Sequence, residues 1–105
     1  MNDVIQVVTT TGKKADAERI TTALVEQRLA ACVQISGPID STYWWDQKLD
    51  CSEEWLYTAK THHRLFDDVQ KAIEQLHPYE TPEILSTAVV AGSTDYLKWL
   101  AEQLV

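Results

Sequence analysis

The spacing of apolar and polar positions divides the chain into strands and helices that follow one another closely. Val4-Ile5-Gln6-Val7-Val8-Thr9 is mostly β-branched and too apolar for a surface strand, which predicts a central strand buried on both faces and ended by Thr9-Thr10-Thr11-Gly12. From about Lys14 to Leu29, Ala17, Ile20 and Leu24 recur at helical spacing, with Asp16 and Glu18 in the first turn, where the dipole favours carboxylates. Cys32 to Trp45 then reads as strand almost throughout, with Val33, Ile35, Ile39, Tyr43 and Trp45 on one parity. Gly37-Pro38 interrupts it, so it is an edge strand or carries a bulge there, because proline donates nothing to a ladder. Residues 46–52 read as the turn and Trp55–Lys60 as the returning strand.

Phe66, Val69, Ile73 and Leu76 step by three, four and three, the clearest amphipathic helix in the chain. Ile84–Ala91 predicts another buried strand, stopped by Gly92. Ser93-Thr94-Asp95 supplies capping side chains for a last helix, with Leu97, Leu100 and Leu104 inward. The order is βαββαβ followed by α, an α+β protein of the split βαβ, ferredoxin-like type, with the first and third strands central and the second at an edge. No linker or repeat divides residues 1–105, so a single domain is expected.

The long β2-β3 hairpin bears on assembly. Fourteen residues of strand reach roughly 45 Å, more than a domain of this size covers with its own sheet. An exposed edge carrying Tyr43, Trp44, Trp45 and Trp55 requires a cover, and a closed homo-oligomer with pairing between subunits supplies one.

Composition narrows the partners. The formal charge of -7 opposes nucleic acid and anionic membrane, and the only adjacent basic pair is Lys13-Lys14. No apolar run is long enough to span a bilayer, and Met1-Asn2-Asp3-Val4 lacks a charged leader followed by an apolar stretch, so a cytoplasmic protein is expected. Cys32, in Ala30-Ala31-Cys32-Val33, is expected in the core and Cys51 at the surface, both reduced.

Chemistry concentrates in His77-Pro78-Tyr79-Glu80-Thr81-Pro82-Glu83-Ile84, which holds an imidazole, two carboxylates and a phenol on a backbone stiffened by two prolines. His77 is the best candidate metal ligand, near Glu80 and Glu83, although a full shell would need residues from another subunit. Neighbouring side chains on a strand point to opposite faces, so His62-His63 does not readily clasp one ion. Catalysis finds less support. The acylphosphatases built on this framework use an arginine and an asparagine, whereas Asn2 is the sole asparagine and Thr9–Lys14 contains no arginine. No nucleophile elbow or Ser-His-Asp pattern occurs, and a non-enzyme is expected.

Over nearly its whole length the chain resembles the CutA family of divalent-cation tolerance proteins. The segment His77–Ile84 looks like the family signature, supported by Leu29-Ala30-Ala31-Cys32-Val33, Tyr43-Trp44-Trp45, Lys60-Thr61 and Thr94-Asp95-Tyr96-Leu97. The resemblance implies a homotrimer with the long hairpins paired around the three-fold axis, a shape akin to the PII signalling proteins, and a role in metal-ion tolerance. Its implied cofactor is copper or another divalent cation, and its implied partners are further copies of the chain and divalent metal ions. In members proposed to bind copper, the ligands are a first-strand cysteine and two histidines before the Pro-Tyr pair. His77 matches the second histidine, Leu76 stands at the first and Thr9 at the cysteine. The same resemblance makes Trp45, Lys60, Tyr79, Glu80 and Glu83 candidates for an inter-subunit cleft that binds a small molecule or a partner protein in the alternative, PII-like reading.

Overall fold

Strand β1 (Val4–Thr11) continues past Thr9, because Thr10 and Thr11 still pair with Leu56 and Trp55 of a later strand. The computed structural model describes residues 3–105, so Asn2 lies outside the described residues. Helix α1 (Lys14–Glu26) buries Ala17, Ile20 and Leu24 as the spacing requires, but it closes before Leu29. Arg28 adopts the left-handed region at φ 58, and the amides of Leu29 and Ala30 both donate to Leu24 O. This closing turn directs Leu29 into the core instead of extending the helix.

Strands β2 (Cys32–Trp45) and β3 (Lys48–His62) form the hairpin. Its turn is only Asp46-Gln47, both at positive φ, the two-residue geometry whose twist matches the flanking strands. The expected seven-residue turn is therefore strand for most of its length: Lys48 through Ser52 pair with Trp45 through Ser41. Their polar side chains read as a loop because both faces of this projecting arm meet solvent. The longest dimension of the molecule, 45 Å, equals the estimate made from strand length.

The ladder is irregular between Ser36 and Ile39, where the Gly37-Pro38 dipeptide sits. Gly37 has φ 151, and a Cβ there would lie 2.8 Å from Trp55 Cε3 and 3.1 Å from Glu54 O. Gly37→Ala is therefore expected to lower stability by about 2 kcal/mol, from backbone strain and displacement of the indole. Urea unfolding with an unchanged m-value tests it, and an unshifted midpoint would show that the bulge relaxes freely.

The sheet order is β2-β3-β1-β4, antiparallel throughout, with β1 and β3 central. This is the ferredoxin-like arrangement expected from the element order. After a 3-10 turn (His63–Leu65), α2 (Phe66–Leu76) packs beside α1 on one face, where Val7, Ile20, Leu24, Tyr57, Val69 and Ile73 form the core. Helix α3 (Thr94–Gln103) buries Leu100, while Leu97 and Leu104 are half-buried. Its N-cap, Ser93, makes no side-chain capping bond, contrary to the capping expected there.

Two burial expectations are corrected by edge position. Strand β4 (Leu85–Ala88) is shorter than 84–91 and is exposed: Leu85 is 59% accessible and Val90, just beyond it, 90%. Among the described residues it pairs with β1 alone, so its other edge has no strand partner there. Cys32 is half-buried, since β2 is also an edge; Cys51 is exposed, and both thiols are free. No helix among the described residues is long and apolar enough to cross a membrane.

Candidate functional site

Pro78 ends α2 and holds His77 extended, at φ -74 and ψ 134. That geometry turns the imidazole inward, where it is 9% exposed and both nitrogens are engaged. Nε2–H donates to Thr10 O at 2.7 Å, and Tyr79 N–H donates to Nδ1 at 3.1 Å. Burial pushes the His77 pKa below its ordinary value, so the ring is neutral at pH 7. His77 thus staples the loop to β1 and presents no free lone pair for a metal. Thr9 is buried opposite Tyr57 on the helix-covered face. Burial raises the Tyr57 phenol to about 12, with the Thr9 and Thr11 hydroxyls acting the other way. Among the described residues no group of three His, Cys, Asp or Glu side chains is placed to hold one ion.

The loop makes a second tie. Tyr79 Oη donates to Glu54 Oε2 at 2.8 Å, across Gly12, where a Cβ would stand 3.3 Å from the phenol oxygen. Burial, followed by the Glu54 hydrogen bond and charge, pushes the Tyr79 phenol up to about 12, so it remains a donor at neutral pH.

Between loop and hairpin lies a cavity of about 660 Å³, which brings together Trp45, Tyr79, Glu80 and Glu83. Strand alternation builds the hairpin wall: Tyr43 opposes Asp50, and Ser41 opposes Ser52, with Glu54 next on the same face. Asp50 is masked in the sequence because residues 46–52 read as a turn, and Glu54 stands just before the apolar run of the returning strand; alternation from Leu56 back through Glu54 is the signal that points to this face. Trp44 has the opposite parity to Trp45 and stands 73% exposed. Among the described residues no lysine, arginine or histidine lines the cavity.

Lys60 does not belong to this group. It lies six strand residues, about 20 Å, from Glu54, with Nζ 5.5 Å from the centre of the Tyr96 ring and beside a smaller cavity of about 180 Å³. Its register opposite Gln6 and Cys32 commits it to the far end of the sheet.

These features define a class of protein: a ferredoxin-like domain with an overlong hairpin and an acidic cavity under a proline-stiffened loop. The chain belongs to the family described as CutA1 divalent ion tolerance protein, whose model matches residues 5–103. It is 38% identical over 96 residues to the divalent-cation tolerance protein CutA of Thermus thermophilus, covering 91% of this chain and 93% of that one. The chloroplastic protein CutA 1 of rice is 33% identical over 96 residues; the match covers 91% of this chain but 54% of the rice protein's length. The crystal structure of CutA from Xylella fastidiosa superposes with a TM-score of 0.95 at 32% identity, covering 98% of this chain and 99% of that one.

Proposed function

We propose that the protein acts as a homotrimer in the tolerance of divalent metal ions, by binding and not by catalysis, in the cytoplasm. The observation that carries the binding reading is the cavity with four carboxylates, Asp50, Glu54, Glu80 and Glu83, and no basic side chain. Such a wall attracts cations at modest affinity. Its donors are oxygens, which suit hard and borderline ions; copper enters this reading as copper(II), since copper(I) prefers sulfur. The trimer reading is supported by the apolar side chains left open on the hairpin, on β4 and just beyond it, Trp44, Leu49, Leu85 and Val90.

Isothermal titration of the assembled protein with copper(II), zinc and nickel tests the metal reading. The expected result is weak binding that falls in a Glu80→Gln/Glu83→Gln variant. Absence of heat, or binding unaltered in that variant, would sink it.

A second reading is favoured by one feature, the size of the cavity. A volume of about 660 Å³ is within the range of small-molecule sites and far beyond one ion. In this reading the protein is a PII-like signalling or scaffold trimer with a small-molecule ligand in the cavity.

A further inference from the structure

We infer that the hydroxyls of Thr9 and Tyr57 hold a buried water molecule between β1 and β3, beneath the strand segment that anchors the His77 loop. Strand alternation puts Val7, Thr9 and Thr11 on the face of β1 that the helices cover, and Tyr57 stands opposite Thr9 on β3. Three hydroxyls therefore enter an aliphatic interior. Thr9 and Tyr57 are each 1% exposed, yet neither Thr9 Oγ1 nor Tyr57 Oη has a hydrogen-bond partner. A hydroxyl left dry and unpaired costs more than an ordinary hydrogen bond returns, so buried polar groups of this kind are met by protein or by ordered water.

The chemistry of the three side chains selects the ligand. The Thr9 and Thr11 hydroxyls stand close enough to the Tyr57 phenol to pull its pKa down against the effect of burial, but no bond closes between them. Thr11 Oγ1 donates to Lys13 O at 3.0 Å, which occupies its proton and leaves its lone pairs open. What joins such a set must both donate and accept, and it must be small. The charged groups that act on Tyr57, Asp16 and Arg19, are paired with each other at 3.2 Å, so the ligand is neutral. Water meets each requirement, with two protons and two lone pairs for two to four polar neighbours.

Assembly with further copies does not alter this argument, because the chain's own helices and strands already bury Thr9, Thr11 and Tyr57. The position has a consequence for the loop. Thr9 and Thr11 flank Thr10, whose carbonyl accepts from His77 Nε2 at 2.7 Å. A water bonded on the helix side of this segment holds the strand against β3 where the loop is tied to it.

The test is a crystal structure of the assembled protein at a resolution that shows ordered water. Relaxation dispersion of the water oxygen in solution accompanies it, since that measurement counts long-lived water and is blind to exchanging hydroxyl protons. The expected result is one solvent peak per subunit within hydrogen-bond distance of Thr9 Oγ1 and Tyr57 Oη, kept in Thr9→Ser. In Thr9→Val/Tyr57→Phe the peak and one long-lived water per subunit are lost. Each single substitution lowers the urea midpoint, and the double variant loses less than the sum, because the water leaves with its last partner. A direct Thr9–Tyr57 hydrogen bond with no solvent peak overturns the inference. So do an unchanged dispersion amplitude in the double variant and strictly additive midpoint losses. Should the double variant fail to fold, the wild-type crystal decides alone.

Discussion

His77→Ala is expected to lower stability by about 2–3 kcal/mol while leaving the affinity for divalent metal unchanged. The stability loss follows from geometry: the ring is buried, donates from Nε2 to Thr10 O and accepts at Nδ1 from Tyr79 N. Truncation removes both bonds and leaves a space beside the Tyr79 ring, whose centroid lies 4.8 Å away. The unchanged metal affinity follows because neither nitrogen is available to an ion. A pH signature accompanies it. The folded pKa of His77 is below the unfolded value, so the unfolded chain binds more protons in the window below about 6.5. Its contribution is therefore fully present above about pH 6.5 and is lost as pH falls through the lowered folded value. Urea unfolding at pH 7 and pH 5 should show a steeper acid loss in the wild type than in His77→Ala. Abolished metal binding at unchanged stability would instead make His77 a ligand.

Placing charge on the uncovered surfaces is expected to convert the proposed trimer into monomers. Leu85 on β4 and Trp44 on the hairpin are large apolar groups, 59% and 73% exposed in the single chain. Full burial of a side chain of that size contributes about 1.5–3 kcal/mol, and three-fold symmetry repeats each contact. A Trp44→Glu/Leu85→Lys variant removes these contributions and adds charges that an apolar interface cannot solvate. Light scattering at micromolar concentration should give a trimer for the wild type and a monomer for the variant, which retains its helical dichroism. An unchanged mass in the variant would place the interface elsewhere; a monomeric wild type would remove the trimer.

Why the fold was legible while parts of the site were not is clear from particular elements. In α2 the steps Phe66, Val69, Ile73, Leu76 correspond to a helix over Phe66–Leu76, since burial of one face imposes the period directly on the residue types. The limits of β2 were equally readable, and Gly37-Pro38 announced the irregularity between Ser36 and Ile39. The start of β3 was hidden because a projecting arm has no buried face to write an alternation, so Lys48–Ser52 looked like a turn. Leu85 and Val90 misled in the opposite sense: their apolarity reads as core, yet in one chain they are open, which is the pattern of a surface that meets another copy.

By itself the sequence determined the order and types of the elements, the edge position of β2, the hairpin's reach and the stiffness of His77–Ile84, because each depends on local dihedral restriction or short-range periodicity. Only the tertiary structure decided what that loop's side chains do. The tie from His77 to Thr10 spans 67 positions and that from Tyr79 to Glu54 spans 25. Placing Lys60 outside the cavity and Asp50 and Glu54 within it depended on strand register. Such long-range pairings are settled by the packing of the whole sheet, and no local pattern of residues encodes whether a histidine will face a metal or a backbone carbonyl.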